Sequence, residues 1–303
     1  HRVVHGMKHT EPELVSSLLL DELYSILPYD PDHMPSEIHL IEAFIRHHPM
    51  LPQIVCFDTA FHQDMPRVAK LLAIPRRFEE KGVQRYGFHG LSYSYLIEEL
   101  AKLDETNPNA GRIILAHLGN GASMAAVHNG KSIDTSMGFT PASGLPMSTR
   151  SGDVDPGLVT YLMRMEHMTE AQFHEMTNRE SGLLGVSGVS SDMRDLLENE
   201  NSIPAAADAI ALFCYQAKKQ IGAYSAVLGG LDTLVFAGGI GESSPAIRKR
   251  ICEGLAFLGI ELDQDRNSNN KLLISTDTSH VKVRVIATDE ELMIARSVTR
   301  VLN

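Results

Sequence analysis

Short apolar segments alternate with longer segments of helical periodicity along most of this 303-residue chain. Apolar runs of about four to eight residues are typical of buried strands, whereas apolar residues spaced three and four apart predict helices. Strands are predicted over 53–57, 112–118, 233–237 and 281–286. Helices are predicted over 11–27, around Ile38, Ile41 and Phe44, over 156–178 and 204–228, from about Ser244 and from Asp289. Such alternation predicts an α/β fold.

A predicted hairpin interrupts the alternation. Residues 123–127 and 132–134 are separated by Asn129 and Gly130, and Asn-Gly between two such runs is the strongest short hairpin signal. A hairpin adds antiparallel pairs to strands that helices otherwise connect. We therefore expect a mixed sheet.

Charge and cysteine content exclude several classes of partner. Lys and Arg number 27 against 38 Asp and Glu, a formal charge of −11, whereas nucleic-acid and anionic-membrane surfaces need a basic field. No apolar run approaches the roughly 18 residues of a membrane span. Cys56, Cys214 and Cys252 match neither a disulfide framework nor a paired zinc site. We expect no nucleic acid, no membrane and a reducing cytoplasm, with about two domains for this length.

Two glycine-rich turns follow predicted strands. Residues 117–123 enter the hairpin, and residues 237–242 enter a helix. Glycines allow the backbone to approach a ligand, and a free helix N-terminus offers N–H groups to an anion. Neither turn matches the Walker pattern, and the second lacks the spacing of a dinucleotide fingerprint. Taken alone, each is also explained as a tight turn.

A long segment without periodicity covers 134–156 and is rich in Ser, Thr, Gly and Pro. Loops of this length in compact domains are usually functional or disordered, and the methionines and Phe139 within it argue against disorder. Arg150 lies in it, with Asp153 and Asp155 beyond. Two interpretations of Arg150 stay open: a surface salt bridge, or a guanidinium directed at a phosphate in transfer.

Asp58 and Glu290 lie where a predicted strand ends and a predicted helix begins. Ligands of α/β sheets collect at the carboxyl ends of strands, so Asp58 is a candidate to hold a metal or position a nucleophile. Helix capping is the more common role of such an Asp, and Glu290 is equally a helix-dipole partner. The chain has 14 histidines, but no His-x-x-x-His pair lies in a convincing helix, so zinc is not expected. His89 lies in a glycine-flanked turn, which predicts an exposed edge.

Nine short runs, in order along the chain, resemble the acetokinase family, within the superfamily that includes actin, sugar kinases and chaperone ATPases. They cover the whole chain, and together they are highly specific. The runs are 1–6, 57–62, 85–90, 117–123, 134–141, 149–153, 181–185, 238–242 and 288–291.

The resemblance implies reversible phosphoryl transfer between ATP and a short-chain carboxylate, giving ADP and an acyl phosphate. Arg2 resembles the residue that pairs with the substrate carboxylate, and Asp58 resembles the acid that orients the reacting groups and the metal. His89 and Arg150 resemble two transition-state stabilisers. With Mg²⁺ they would supply local positive charge in an acidic protein. The positions where the family shapes a small apolar pocket for the acyl methyl are Val4, Phe88 and Pro141.

Nucleotide and metal positions also follow from the resemblance. Glu290 resembles a Mg²⁺ ligand, so ATP and Mg²⁺ are the expected co-substrate and cofactor. The positions that resemble the family's nucleotide site are His117, Leu118, Gly119, Asn120, Gly121, Asp192, Met193, Arg194, Gly239, Ile240, Gly241, Glu242 and Ser243.

The chain departs from the family pattern at its front. Family members begin upstream of the run at His1, with a strand and an Asn-Ala-Gly-Ser-Ser-Ser loop that binds phosphate and metal. We therefore expect a fragment of a longer protein with little or no turnover alone; the alternative is a nucleotide-binding module without catalysis. Ser148 and Ser243 replace the usual Gly and Asn. Acetate, propionate and butyrate stay open as acceptors, because one methylene discriminates by only about 1–3 kcal/mol.

The resemblance implies a duplicated actin-like fold of two α/β domains with the nucleotide in the cleft between them. Residues 1–58 and 288–303 are expected to form a truncated first domain. Residues 59–287 are expected to form the second domain, which binds nucleotide and makes a homodimer contact.

Overall fold

The structure is a computed structural model that describes residues 1–103 and 111–303. Its strands are β1 (Arg2–Val3), β2 (Glu13–Leu14), β3 (Ile54–Phe57), β4 (Arg112–Leu118), β5 (Ala122–His128), β6 (Lys131–Thr135), β7 (Thr233–Ala237) and β8 (Lys282–Val285). Its helices are α1 (Ser17–Ser25), α2 (Met34–His47), α3 (Arg67–Lys70), α4 (Gly90–Leu103), α5 (Pro156–Met165), α6 (Glu170–Glu175), α7 (Gly182–Ser187), α8 (Met193–Asn199), α9 (Pro204–Leu228), α10 (Gly238–Ser243), α11 (Pro245–Cys252), α12 (Gln264–Ser268) and α13 (Glu290–Leu302).

The larger sheet has five strands in the order β6-β5-β4-β7-β8. β4 pairs antiparallel with β5 and parallel with β7, which pairs parallel with β8. Ile114 and Phe236 pack in one core with residues of α9, whereas Leu115 and Val235 pack in another with residues of α4. Because both faces of β4 and β7 are covered, their sequences are continuous apolar runs and do not alternate.

The smaller sheet has three short strands in the order β1-β3-β2. The parallel pairing of β1 with β3 sets Arg2 opposite Cys56, two residues before Asp58. Met293 of α13 packs with Ile54 and Cys56 of β3. The smaller sheet lies within residues 1–58 and the larger sheet within 59–287.

Most predicted strands and helices are present. β3, β4, β7 and β8 lie where strands were predicted, and β5 and β6 form the predicted hairpin with Asn129 in the left-handed region at φ 51°. Helices α2, α9 and α13 are confirmed, and α13 begins directly after Asp289, whose side chain accepts a hydrogen bond from the Leu292 N–H. The segment between β6 and α5 contains no helix or strand, as predicted.

Two predicted helices were wrong in extent. The helix predicted over 11–27 begins only at Ser17, because the Ser16 side chain caps it and Glu13–Leu14 pairs with β3 instead. The helix predicted over 156–178 is divided into α5, α6 and a π-helical turn over Met176–Glu180. The division occurs because Thr169 and Gln172 form a capping box, which starts a new helix.

Helix α4 had no counterpart among the predicted elements. It begins at Gly90, where an added Cβ would lie 2.2 Å from the Asp58 carbonyl oxygen, so only glycine fits. All three cysteines are buried free thiols. None of the described helices is both long enough and apolar enough to cross a membrane.

Candidate functional site

Two cavities flank the turn that follows β4. The charged cavity has a volume of about 210 Å³, and the large cavity has a volume of about 750 Å³. The charged cavity is lined by Arg2, Val4, His33, Glu37, Asp58, Phe88, His89, Gly121, Pro141 and Arg150. The large cavity is lined by Gly119, Asn120, Ser148, Ser191, Asp192, Met193, Arg194, Leu197, Glu198, Gly239, Ile240, Ser243, Ser244, Pro245 and Ala246. The turn Gly119-Asn120-Gly121 therefore contributes to both.

Arg2 and Asp58 form the ion pair of the charged cavity. Arg2 Nε and Nη2 donate to Asp58 Oδ2 at 2.9 and 2.5 Å. The Asp58 side chain is fully buried, and burial raises its pKa while Arg2 opposes that rise. Its other oxygen, Oδ1, is buried without a hydrogen-bond partner among the described residues. Asp58 is not the N-cap of the following helical turn, which Thr59 provides, so the capping interpretation was wrong.

Glu290 adds a second carboxylate beside Arg2. Its Oε2 lies 3.7 Å from Arg2 Nη1. Burial, reinforced by the negative charge of Asp58, raises the pKa of Glu290 to about 7. Two buried carboxylates that share one arginine repel each other, and a cation would relieve that repulsion.

His33 and Glu37 line the charged cavity but were not predicted as site residues. Glu37 Oε2 accepts a hydrogen bond from the Val4 N–H at 2.9 Å, and burial raises the pKa of Glu37 to about 6. His33 Nδ1 lies 2.8 Å from Asp30 Oδ1. The signal available in the sequence was the acidic loop before α2, but its position beside β1 depends on tertiary packing.

His89 has a left-handed backbone, with φ 59°, and lies on the wall of the charged cavity rather than on an exposed edge. Its Nδ1 is 2.8 Å from Ser123 Oγ, and its ring stacks on His117 with 4.2 Å between centroids. Burial lowers the pKa of His89 well below its usual value, and the charge on Arg150 adds to that effect. The lowered pKa favours the neutral ring, and the positive charge that the resemblance implies for His89 stays a prediction.

Arg150 comes from the long loop before α5. Its Nη1 donates to the Pro141 carbonyl at 3.1 Å, and a methyl group on Gly121 would lie 3.6 Å from Nη1. No carboxylate forms an ion pair with Arg150 within residues 1–103 and 111–303, so the salt-bridge interpretation was wrong. Arg150 presents a cation without a directly paired carboxylate to the cavity that Arg2 and Asp58 also line.

The large cavity collects eight of the thirteen positions predicted for nucleotide binding. Gly121 faces the charged cavity instead, and the remaining four line neither cavity. Leu118 is buried in the core, and His117 is held by the Ser92 hydroxyl. Glu242 Oε1 accepts from the Gly238 N–H at 2.7 Å, so this N–H at the start of α10 is not free for an anion. Those without contact with either cavity are His117, Leu118, Gly241 and Glu242.

The two carboxylates beside Arg2, those of Asp58 and Glu290, fit a magnesium ion. No cluster of three His, Cys, Asp or Glu side chains that could hold a metal occurs in the described part of the chain. Mg²⁺ does not require one, because proteins usually hold it by one or two carboxylates together with waters and substrate phosphates. The unpartnered Oδ1 of Asp58 and the carboxylate of Glu290 are suited to that role.

A model of the acetokinase family matches residues 1–296. The chain belongs to the acetokinase family. It is an enzyme of the acetate kinase type, a family of kinases that use ATP. Acetate kinase of Methylocella silvestris is 46% identical over 304 residues, covering 100% of this chain and 74% of that protein. Acetate kinase of Dictyoglomus thermophilum is 48% identical over 307 residues, covering 100% and 77%.

Solved structures agree with this family. Acetate kinase from Porphyromonas gingivalis superposes with a TM-score of 0.94 at 40% identity, covering 100% of this chain and 77% of that one. A propionate kinase from Francisella tularensis superposes with a TM-score of 0.93 at 40% identity, covering 98% and 77%. The predicted α/β, duplicated actin-like fold is confirmed.

Proposed function

We propose that this acetokinase-family enzyme moves the γ-phosphoryl group of ATP reversibly to acetate, giving acetyl phosphate and ADP. The observation that carries the proposal is that the turn Gly119-Asn120-Gly121 lines both cavities, with Arg150 and His89 on the charged side. A nucleotide in the large cavity can extend its phosphates past this turn, where a short acid in the charged cavity would meet them.

The proposed chemistry is a direct in-line transfer. A carboxylate oxygen of the acceptor forms a bond to the γ-phosphorus while the bond from that phosphorus to the β-γ bridging oxygen breaks. The acceptor is already an anion, so no base must remove a proton from it. We therefore assign Asp58 to orienting Arg2 and the reacting groups, and Arg2 to pairing with the acceptor carboxylate.

We assign Arg150 and His89 to the transferred group. Charge in such a transition state is spread over three equatorial oxygens. Arg150 supplies full positive charge, and neutral His89 supplies an N–H donor. Preorganised donors of this kind lower a barrier most in a site shielded from water. When bound at Asp58 and Glu290, Mg²⁺ would neutralise phosphate charge.

We propose acetate ahead of propionate or butyrate on the similarity to named acetate kinases, with Val4, Phe88 and Pro141 as the apolar border of the acceptor site. Relatives named acetate kinase are 46–48% identical to this chain over its whole length. The propionate kinase neighbour, at 40% identity, makes propionate the second candidate.

We also propose two domains, one formed by residues 1–58 with 288–303 and the other by residues 59–287. The proposed location is the cytoplasm.

A homodimer is supported by the solvent-exposed face of α5, where Leu158, Tyr161 and Met165 recur at helical spacing and are 36%, 56% and 63% exposed. Sedimentation should give a dimer mass for the parent and a monomer mass for Tyr161→Glu. The matched substitution Phe257→Glu, at an exposed site away from α5, should stay dimeric.

The test, made with an active full-length parent, is acetyl phosphate formation from Mg-ATP with acetate, propionate and butyrate, alongside calorimetry with Mg-ADP. We expect kcat/KM to be highest for acetate. A higher value for propionate would replace the acceptor. ADP binding without any acyl phosphate would reduce the chain to a nucleotide-binding module.

A further inference from the structure

Arg248 of α11 is fully buried, and its guanidinium is surrounded by neutral oxygens. Nε donates to Asn267 Oδ1 at 2.8 Å, and Nη2 donates to the Asn267 carbonyl at 2.8 Å and to Asn270 Oδ1 at 2.6 Å. Nη1 donates to the carbonyls of Gly241 and Glu242 at 2.8 and 2.9 Å. Within residues 1–103 and 111–303, no carboxylate forms an ion pair with it.

Burying the charge of Arg248 in this way is unfavourable by itself. A buried charge without a counter-ion loses its hydration, and here only hydrogen bonds offset that loss. Burial lowers the pKa of Arg248 to about 10, so the side chain stays charged at neutral pH. The five hydrogen bonds use the full planar fork of the guanidinium, which three-donor lysine cannot reproduce.

Arg248 holds α10, and other residues of α10 form part of the wall of the large cavity. The carbonyls of Gly241 and Glu242 belong to α10, whose Gly239, Ile240 and Ser243 line that cavity. Asn267, itself fixed by Arg248, donates from Nδ2 to the Pro245 carbonyl at 3.0 Å. Pro245 also lines the cavity, so the link reaches both α10 and the start of α11.

The opposite end of α10 is fixed independently. Glu242 Oε1 accepts from the N–H of Gly238 at 2.7 Å and from the N–H of Thr288 at 3.0 Å. Only six residues long, α10 forms few internal hydrogen bonds of its own. Its position therefore depends on these external contacts, of which Arg248 provides two.

We propose that Arg248 is a positioning residue for the nucleotide, fixing α10 and Pro245 so that the wall of the large cavity is preorganised for binding. This rests on the proposed assignment of that cavity to the nucleotide. Arg248 contacts neither the nucleotide nor the acceptor and acts only through the backbone that it holds.

The test is calorimetry with Mg-ADP on the parent chain, Arg248→Lys and Arg250→Lys. Arg250 is the matched control, because it lies on the same helix, its guanidinium makes a bidentate pair with Glu200, and neither residue lines the cavity. We expect Kd for ADP to rise about tenfold in Arg248→Lys, the lower end of effects for lost supporting contacts. In Arg250→Lys it should stay within about twofold, whatever either substitution does to the melting temperature.

Kinetics separate positioning from a general structural role. In Arg248→Lys we expect KM for ATP to rise with Kd, while KM for acetate stays within about twofold. An equal rise in KM for ATP and KM for acetate, or an unchanged Kd for ADP, would overturn the proposal. If Arg248→Lys does not fold, Asn270→Ala removes one of the acceptors of Arg248 and should raise Kd for ADP by about threefold. An unchanged Kd for ADP in Asn270→Ala would also overturn the proposal. A parent chain that does not bind ADP would refute the cavity assignment itself.

Discussion

The charged cavity and the large cavity differ in how they are built. The charged cavity brings ionisable side chains from β1, α2, the end of β3 and two loops into about 210 Å³. The large cavity has over three times that volume, with glycine, serine and aliphatic positions prominent in its lining. Among the residues that line the two cavities, those whose pKa is shifted mainly by burial, such as Glu37, Asp58, His89 and Arg150, are on the charged side.

This difference separates two tasks. A small space lined by charged side chains such as Arg150 suits the stabilisation of charge that develops during a reaction. A larger space with both polar and apolar lining residues suits a ligand that is bound equally well in the ground state and in the transition state. Contacts of that kind change KM rather than kcat. Substitutions on the two sides should therefore have different kinetic signatures.

The largest effect is expected from Arg150→Ala. Removing a preorganised donor to the transferred phosphoryl group should lower turnover at least about a hundredfold, with Kd for ADP nearly unchanged. Acetyl phosphate formation and calorimetry with Mg-ADP measure the two quantities. Arg179→Ala, which removes a surface arginine 63% exposed, is the control and should retain activity. Near-normal turnover of Arg150→Ala would remove the distinction between the cavities.

A pair of glycine substitutions should give opposite results. A methyl group at Gly121 would lie 3.1 Å from His89 Nε2, so Gly121→Ala should displace that ring and lower kcat about tenfold without weakening ADP binding. At Gly239 no heavy atom lies within 4 Å, so a methyl group fits the fold and enters the large cavity. Gly239→Ala should raise KM for ATP about threefold and leave kcat alone. Loss of ADP binding in Gly121→Ala would show that the two sides are not independent.

A smaller effect is expected in the pH dependence of stability. Because the folded-state pKa of Glu290 is raised to about 7 from 4.5, the folded chain binds more protons than the unfolded chain between those values. The contribution of Glu290 to the free energy of unfolding therefore falls as pH rises through this window. Glu290→Gln removes the titration, so urea unfolding should show it more stable relative to the parent at pH 7.5 than at pH 5. An equal difference at both pH values would contradict the raised pKa.

The smallest effect is expected from Arg194→Ala on the large cavity. Its side chain is 86% exposed and pairs with Asp192 at the surface. Exposed ion pairs contribute little, so Kd for ADP should change by no more than about twofold and the melting temperature should not change. A loss as large as that of Arg150→Ala would show that charge matters equally on both sides.

The strands were predictable because their physics is local. β4 and β7 are continuous apolar runs that end at glycine turns, and such runs identify buried strands without tertiary information. Helix α4 was not predicted, although Leu96 and Leu100 recur at helical spacing. The break between α5 and α6 was not found because the capping box at Thr169 starts a new helix within an otherwise continuous apolar periodicity.

The candidate site was predictable only in part. The family resemblance supplied Arg2, Asp58, His89 and Arg150, and all four line one cavity, although their roles stay predictions. Residue order carries no information on which side chains meet in space, so Glu37 was missed. The lowered pKa of His89 was also not predictable, since burial and neighbouring charged groups cause it and neither is visible in the sequence.

The turn Gly119-Asn120-Gly121 has a practical consequence for inhibitors. Two of its three residues lack side chains, so little more than backbone separates the charged cavity from the large cavity at this turn. A single inhibitor could join a short acid to adenosine through a phosphate chain. We expect such a molecule to pass over the turn and occupy both cavities. Its second end would bind at high effective concentration, so it should outcompete either half by far more than their separate affinities suggest.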